Sequence, residues 1–254
     1  MGEALLQKTV HEIDASGLHY QKLNQNIHDL LDSGISSILV NNVAGQRFIG
    51  CGVKGNPRLT LKGIPGNNLG SYMDGMHIEV LGNCQDGIGN TMNSGTIVVH
   101  GHAGDIVGYA MRGGVIYIRG DVGYRSGIHM KAYQDNFPVI VVGGRAGNFL
   151  GEYMAGGVII VLGLNLRDDL SIVGDYLGTG MHGGTIYVRG PVEKHRLAKE
   201  VTVSELTDDD WRLLNTYVGN FCHEFGTRLD IRNETWTKLV PSSSRPYGAL
   251  YNHK

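Results

Sequence analysis

The chain has 254 residues, 39 of them glycine, and a formal net charge of -2 at pH 7. This near-neutral charge gives no electrostatic basis for binding nucleic acid or an anionic membrane. No apolar run is long enough to cross a bilayer, and the first residues lack a signal-peptide core. Three widely separated cysteines are typical of reduced thiols, so the sequence predicts a cytoplasmic protein.

Residues 1–36 are predicted to form an N-terminal cap. The alternating segment QKTVHEIDA favours a strand, and a short helix is expected from Asn24 to Gly34. The apolar stripe of this helix comprises Ile27, Leu30 and Leu31. Such a cap would cover the open end of a sheet, where unpaired strand edges are exposed.

A nineteen-residue repeat organises residues 37–190. The spacing relates Met73, Met92, Met111 and Met130, then Gly63, Gly82, Gly101 and Gly120, and also Gly70, Gly89, Gly108 and Gly127. Two insertions interrupt the period, one of five residues within 131–138 and one of eight within 164–176. The period resumes after each insertion, which is typical of surface loops inserted between the repeats of a regular core.

Four repeats open with a glycine followed by Asn or Asp, and two others carry imperfect copies, Gln85 with Asp86 and Gly123 with Tyr124. The four pairs are Gly66 with Asn67, Gly104 with Asp105, Gly147 with Asn148, and Gly174 with Asp175. Glycine tolerates a left-handed backbone, and Asn or Asp can bond its own backbone. The pairs therefore predict left-handed turns.

Each repeat closes with a short strand whose first and third residues are apolar. The predicted strands span 59–63, 78–82, 97–101, 116–120, 140–144, 159–163 and 186–190, with a weaker eighth at 38–40. A period of two places those apolar residues on one face.

The unit is too short for a strand, a crossover helix and a second parallel strand. The sequence therefore predicts an all-β fold, a single-stranded right-handed parallel β-helix of about seven turns with small helical caps. The methionine series is expected to line its interior, because methionine fills irregular gaps in cores.

Residues 191–254 are predicted to form a C-terminal helix and a docking tail. Thr207, followed by three aspartates, indicates a helix N-terminus. The apolar face of the helix comprises Trp211, Leu214, Val218, Phe221, Cys222 and Phe225. The tail beyond it carries Trp236, Tyr247 and Tyr251 and must dock either on its own β-helix or on a partner.

No motif predicts catalysis, a bound cofactor or a metal in this chain. Dinucleotide-type glycine patterns at 50–55 and 178–183 do not stand between a strand and a helix. His100 and His102 lack a third ligand nearby, and the acidic pair in the second insertion, Asp168 and Asp169, is typical of a solvated loop.

Basic residues precede the glycine that ends a strand in four of the seven copies. They are Lys62, His100, Arg119 and Arg189. Alternation turns them outwards, where they predict a broken basic stripe. Such a stripe is either a solvated face or a surface for an acidic partner.

The unit G-D-x-x-G-x-x-M-x-G-G-x-I-x-V-x-G, seen as GDIVGYAMRGGVIYIRG and GEYMAGGVIIVLG, closely resembles a known domain. This is the GXGXG β-helix domain at the C-terminal end of the glutamate synthase large subunit, and the likeness covers about 38–190. The flanks resemble the stand-alone subunit of archaeal-type glutamate synthases. The β-helix chains of formylmethanofuran dehydrogenase and of N-methylglutamate synthase are similar in the same repeat.

The resemblance implies a scaffold without catalytic residues of its own. In glutamate synthases a glutaminase passes ammonia through a tunnel to a site holding FMN and an iron-sulfur cluster, and the β-helix domain packs between the two units. A glutaminase-type amidotransferase subunit and an FMN-binding synthase subunit are therefore the expected partners, with FMN and the cluster in the partner. Three scattered cysteines cannot build that cluster here.

Seven residues are predicted to contact partners. They are Arg112, Arg125, His129, Lys131, Tyr133, Arg245 and Tyr247. Two other classes stay open: an enzyme in its own right and a self-assembling structural protein. Within the favoured class the sequence does not separate the related complexes, because the substrate contacts would lie in other subunits.

Overall fold

The computed structural model describes residues 10–133, 136–164, 166 and 170–243. These residues form one eleven-stranded sheet and two α-helices. The strands are β1 His11–Asp14, β2 Ser37–Ala44, β3 Arg58–Ile64, β4 Asp74–Val80, β5 Ser94–Val99, β6 Val115–Ile118, β7 Val139–Val142, β8 Ala155–Val161, β9 Gly183–Arg189, β10 Val201–Ser204 and β11 Trp236–Pro241. The helices are α1 Tyr20–Asp32 and α2 Asp208–Phe225, with a 3-10 turn at Lys194–Arg196.

Strands β1 to β9 pair in chain order, each parallel to the next. The register places Ile78 beside Leu59 and Ile97, and so one circuit of the chain, here called a coil, advances by one strand. The predicted parallel β-helix is confirmed. The β-helix makes about six turns, whereas about seven were predicted.

Each of the seven main predicted strands overlaps an observed one, and the weaker strand at 38–40 lies inside β2. Every methionine of the repeat is fully buried inside the coil, together with the first and third residue of each of the seven main predicted strands, as predicted. These methionines are Met73, Met92, Met111, Met130, Met154 and Met181. The methionines and strand residues that recur every nineteen positions are thus residues of the core.

The turns differ from the prediction in their chemistry. Gly104 and Gly174 do not adopt a left-handed backbone. The Oδ1 atom of Asp86 accepts a hydrogen bond from the backbone N–H of Asp105, one coil later, at 2.9 Å. Asn148 bonds the N–H of Asp175 in the same way at 3.0 Å. The Asn and Asp side chains therefore join coils instead of bonding their own backbone.

At Gly104 and Gly174 the Asn or Asp side chain of the preceding coil passes directly over the glycine. A Cβ atom at Gly104 would overlap Asp86 Oδ1, and one at Gly174 would overlap Asn148 Oδ1. The prediction of left-handed glycines at these positions was wrong, since close approach of a neighbouring side chain is what excludes a Cβ.

A second apolar layer covers the outside of the sheet. Helix α2 buries Leu214, Val218, Phe221 and Phe225 against outward-facing side chains of the strands. Those side chains include Val98, Tyr117, Val141, Ile160 and Tyr187. All four residues of β7 are buried, so both faces of the sheet are covered there.

Helix α2 follows its predicted signals. Thr207 Oγ1 accepts from the backbone N–H of Asp210, the Asp210 carboxylate accepts from the backbone N–H of Thr207, and the helix ends at Gly226 with a φ of 62°. Helix α1 begins at Tyr20, four residues before the predicted start, and its N-cap residue makes no side-chain bond. No local cap therefore marks its start in the sequence.

The C-terminal segment docks on its own β-helix. β11 pairs antiparallel with β9, the last strand of the parallel series, and β10 pairs antiparallel with β11. Of the two outcomes open for the tail, the structure shows this one as far as residue 243. No described helix has the length and apolar character needed to span a membrane.

Candidate partner-binding surface

No metal-ligating cluster is found in the described part of the chain. No group of three or more His, Cys, Asp or Glu side chains there could hold a metal ion. His100 Nε2 lies 3.0 Å from Glu79, whereas His102 Nδ1 accepts from the N–H of Asp121 at 2.9 Å. Each histidine ring therefore contacts a different residue of this chain. The acidic pair at 168 and 169 lies outside the described residues.

The predicted basic stripe is interrupted by contacts within the chain. Arg189 donates to the carbonyl oxygens of Leu162 and Gly163 and pairs with Glu234 at 3.2 Å. The His100 ring packs edge-on against Phe225 of α2 at 5.3 Å. Only Lys62 and Arg119 of the four are exposed. The stripe is therefore broken, as the sequence predicted.

A different basic surface lies where the repeat methionines are followed by polar residues. Asn93, Arg112 and Lys131 each follow a buried methionine on three successive coils. Their backbones are in register: the N–H of Arg112 donates to the carbonyl of Met92, and that of Lys131 to the carbonyl of Met111, both at 2.9 Å. Three side chains are thus stacked at the strand spacing of about 4.8 Å.

The described residues of the first insertion lie beside this stack and form the base of a narrow hairpin. Tyr133 and Asn136 exchange backbone hydrogen bonds of 2.8 and 3.0 Å. The Asn136 amide then donates to the carbonyl oxygen of Asn93 at 3.0 Å. A Cβ atom at Gly113 would overlap the Asn136 amide, so the glycine lets the hairpin lie flat on the coil.

The resulting pocket, here called the basic cleft, has a volume of about 420 Å³. It is lined by Asn93, Arg112, Lys131, Tyr133 and Asn136. Arg112, Lys131 and Tyr133 are exposed to solvent. The described residues that line the cleft include two cations and no carboxylate, and so these residues carry a net positive charge that favours anions.

Aromatic rings stack on the neighbouring edge of the rod, here called the aromatic edge. In one column Arg125 lies over the ring of Phe149 at 4.7 Å, and Phe149 stacks on Tyr176 at 4.8 Å with planes 11° apart. In the other, His129 stacks on Tyr153 at 5.3 Å with planes 10° apart. These side chains form two short ladders of planar groups.

The ladders follow from the backbone of the repeat. Arg125, Phe149 and Tyr176 have φ values of 55°, 61° and 62°, and His129 and Tyr153 have 55° and 52°. The same left-handed conformation on each coil superimposes equivalent side chains at the rung spacing. Arg125 is held further by an ion pair with Glu152 at 2.9 Å.

The structure divides the predicted contact residues between these two surfaces. Arg112, Lys131 and Tyr133 line the basic cleft, and Arg125 and His129 belong to the aromatic edge. The two surfaces are adjacent, because His129 and Lys131 flank the buried Met130. The remaining two predicted residues, Arg245 and Tyr247, lie outside the described residues.

Sequence reasoning missed the polar and aromatic residues that complete both surfaces. They are Asn93, Asn136, Phe149, Tyr153 and Tyr176. A signal was present, since Tyr72, His129 and Tyr153 all directly precede a repeat methionine. Only the parallel register shows that such residues stack.

Comparison with known families assigns the repeat. A family model described as the GXGXG motif matches residues 4–243. This chain belongs to the GXGXG family. One relative is the uncharacterized protein MJ1350 of Methanocaldococcus jannaschii, 48% identical over 248 residues, with 94% of this chain and 95% of the relative covered.

The GXGXG fold also occurs in a solved complex. A chain of the formyltransferase/hydrolase complex (FhcABCD) from Methylorubrum extorquens, determined in complex with methylofuran, superimposes with a TM-score of 0.57. The match covers 83% of this chain and 84% of that chain at 21% identity. At that identity the likeness concerns the fold of the GXGXG chain.

Proposed function

We propose that this GXGXG chain is a non-catalytic scaffold subunit of a glutamate synthase-like complex. It would lie between a glutaminase-type amidotransferase subunit and an FMN-binding synthase subunit, which also holds the iron-sulfur cluster. Fixing the distance between the two active sites lets ammonia pass from one to the other without escaping into solvent. Its role would belong to glutamate biosynthesis and nitrogen assimilation.

The observation that carries the proposal is the extent of the repeat. The GXGXG family accounts for residues 4–243, and in the described part of the chain the coil interior is filled by side chains. The sequence unit resembles the β-helix domain of glutamate synthase, where the same coil separates two catalytic units. A coil with a filled interior is suited to hold neighbours apart.

The bonding between coils supports a mechanical role. Asp105 Oδ1 bonds the N–H of Tyr124, and Asp121 Oδ1 bonds the N–H of Arg145, each at 2.8 Å and each on the next coil. Eight parallel strands, β2 to β9, give a rod of roughly 35 Å at the usual strand spacing. Strand, turn and core contacts all join consecutive coils, and so the rod resists bending.

A second candidate function has its own observation. The fold match to a chain of the formyltransferase/hydrolase complex supports a place in a complex that handles a formyl group. The coil would serve the same mechanical purpose there, with different catalytic neighbours. The β-helix subunit of N-methylglutamate synthase is a third member of this class.

The identity of the co-purifying chains tests the proposal. A tagged copy expressed at native level is isolated from its own cells, and the eluate is analysed by mass spectrometry and by its flavin absorbance spectrum. An untagged strain serves as the control for adventitious capture. A glutaminase-like chain together with a flavin-containing chain is the expected result.

Other results decide between the alternatives. Formyltransferase-like partners without flavin would transfer the assignment to the second candidate. A colourless eluate in which the chain associates only with itself would favour a self-assembling protein, and turnover by the isolated chain would favour an enzyme. Each of these contradicts the glutamate synthase assignment.

A further inference from the structure

We infer that the basic cleft binds the carboxylate side chains of an acidic segment in a partner polypeptide. The inference rests on the proposed function in one respect, that the chain is a subunit of a complex. It adds the site of contact and the chemistry of the partner.

The two cations of the cleft are free to bind, whereas several other cations of the chain are already paired. Arg125, Arg196 and Lys238 are each engaged by a carboxylate of this chain at 2.6 to 2.9 Å. No described residue forms an ion pair or a side-chain hydrogen bond with Arg112 or Lys131. Their guanidinium and ammonium groups therefore retain all their donors for an external acceptor.

The spacing of the cations suits an extended acidic segment. Arg112 and Lys131 occupy equivalent positions on adjacent coils, with backbones about 4.8 Å apart. Alternate side chains of an extended peptide lie about 6.6 Å apart, which two long flexible cationic side chains can match. The planar guanidinium can hold one carboxylate through two parallel hydrogen bonds, while the ammonium holds the second as a point charge.

The hairpin gives the cleft a wall that a plain coil lacks. Tyr133 is 66% exposed at the mouth of the cleft, where its hydroxyl can donate to an acceptor. Asn136 fixes the base of the hairpin by its bond to the carbonyl of Asn93. Tyr133 and Asn136 of the insertion thus line the same cleft as the two cations.

Zero-length crosslinking tests the contact directly. A carbodiimide joins an amine to a carboxylate only when the two are already in contact. Treatment of the purified complex, followed by mass spectrometry, is expected to yield a bond between Lys131 Nζ and an Asp or Glu of the partner. The Lys131→Arg variant keeps the charge and is expected to assemble normally but to lose this crosslink.

Charge reversal tests whether the contact matters for assembly. The double variant Arg112→Glu, Lys131→Glu should bind the co-eluting partner at least tenfold more weakly and with a smaller dependence on salt. The matched control is Lys62→Glu, Arg119→Glu, which reverses two exposed cations elsewhere on the rod and should bind as the wild type does. Equal melting temperatures of both variants exclude a folding defect.

Different results would overturn the cleft assignment and the proposed scaffold role. A partner that co-purifies equally with the wild type and the cleft variant, without a crosslink to Lys131, overturns the cleft assignment and leaves the scaffold role standing. If the control variant also binds the partner more weakly, the loss of binding reflects the overall charge of the chain, and the cleft assignment is overturned. A chain that purifies without any partner overturns both.

Discussion

Asp105 Oδ1 accepts a hydrogen bond from the backbone N–H of Tyr124, nineteen residues later, at 2.8 Å. The same oxygen occupies the place that a Cβ atom of Gly123 would take. One side chain thus satisfies a backbone donor on the next coil and excludes every residue but glycine beneath it. The same relationship holds at Gly104 and Gly174, whereas Gly66 and Gly147 are approached most closely by backbone atoms of Gly45 and Gly123 on the preceding coil.

Gly123→Ala is expected to destabilise the protein by about 1 to 3 kcal/mol, because the new methyl group displaces Asp105 and leaves the Tyr124 N–H without its acceptor. Urea unfolding followed by circular dichroism measures the change. Gly219→Ala is the matched control, since this exposed helical glycine has open space around its Cα and should gain up to about 1 kcal/mol. Equal stability of Gly123→Ala and wild type would refute the steric explanation.

The fold was predictable because its core residues recur along the chain. Ile97 and Val99 stand two residues apart and nineteen after Ile78 and Val80, so periodicity alone identifies the coil. Burial of the opposite face was predictable only in part. Val98 and Val141 are apolar at positions that alternation assigns to solvent, which is a signal for the covering helix.

The cleft was less accessible to sequence reasoning. Lys131 and Tyr133 attract notice because they lie in an insertion, and Arg112 as a lone cation in the repeat. Asn93 and Asn136 are 43 residues apart and carry no charge, so their contact follows only from the hairpin folding back across the coil. Long-range contacts of this kind depend on register, which local patterns do not reveal.

Ser126→Ala is expected to stabilise the protein by roughly 1 kcal/mol. Ser126 is fully buried in the interior, and its Oγ finds no hydrogen-bond partner among the described protein atoms. An unsatisfied buried hydroxyl is costly, and alanine removes it with little change in volume. Thermal unfolding compares the two proteins.

Ser71→Ala is the matched control for this experiment. Ser71 is also buried, but its hydroxyl donates to the carbonyl oxygen of Asn68 at 3.0 Å, so its removal should cost about 1 kcal/mol. A loss of stability in Ser126→Ala of the same size would show that the Ser126 hydroxyl has a partner of its own, such as a bound water.

Ile106→Asn is expected to stabilise the coil by about 1 kcal/mol. Ile106 has a φ of 52°, a left-handed conformation that is unfavourable for a β-branched residue. Equivalent positions on earlier coils hold Asn68 and Gly87, both of which suit that backbone. Ile106→Val keeps the branch and should bring no gain. If both variants lose stability equally, packing of the side chain outweighs backbone strain.

Acidification is expected to weaken the docking of α2 through Asp210. Burial alone would raise the pKa of this carboxyl, but hydrogen bonds from Lys238, from the Thr207 backbone and from Tyr187 outweigh it and lower the pKa to about 2. The unfolded chain, with a pKa near 3.8, takes up the proton first as the pH falls. The contribution of Asp210 is therefore complete above about pH 4 and is lost towards pH 2.

The urea midpoint between pH 7 and pH 2 measures this contribution, with Trp211 at the start of α2 as the fluorescent reporter. Asp210→Asn should be less stable at pH 7, because Lys238 then loses its anionic partner at 2.6 Å, and should show a smaller decline between pH 4 and pH 2. Asp208→Asn, in the same helical turn but exposed, should decline as the wild type does. An undiminished decline in Asp210→Asn would assign the acid sensitivity to other carboxylates, and Asp210 would then act only as the helix cap.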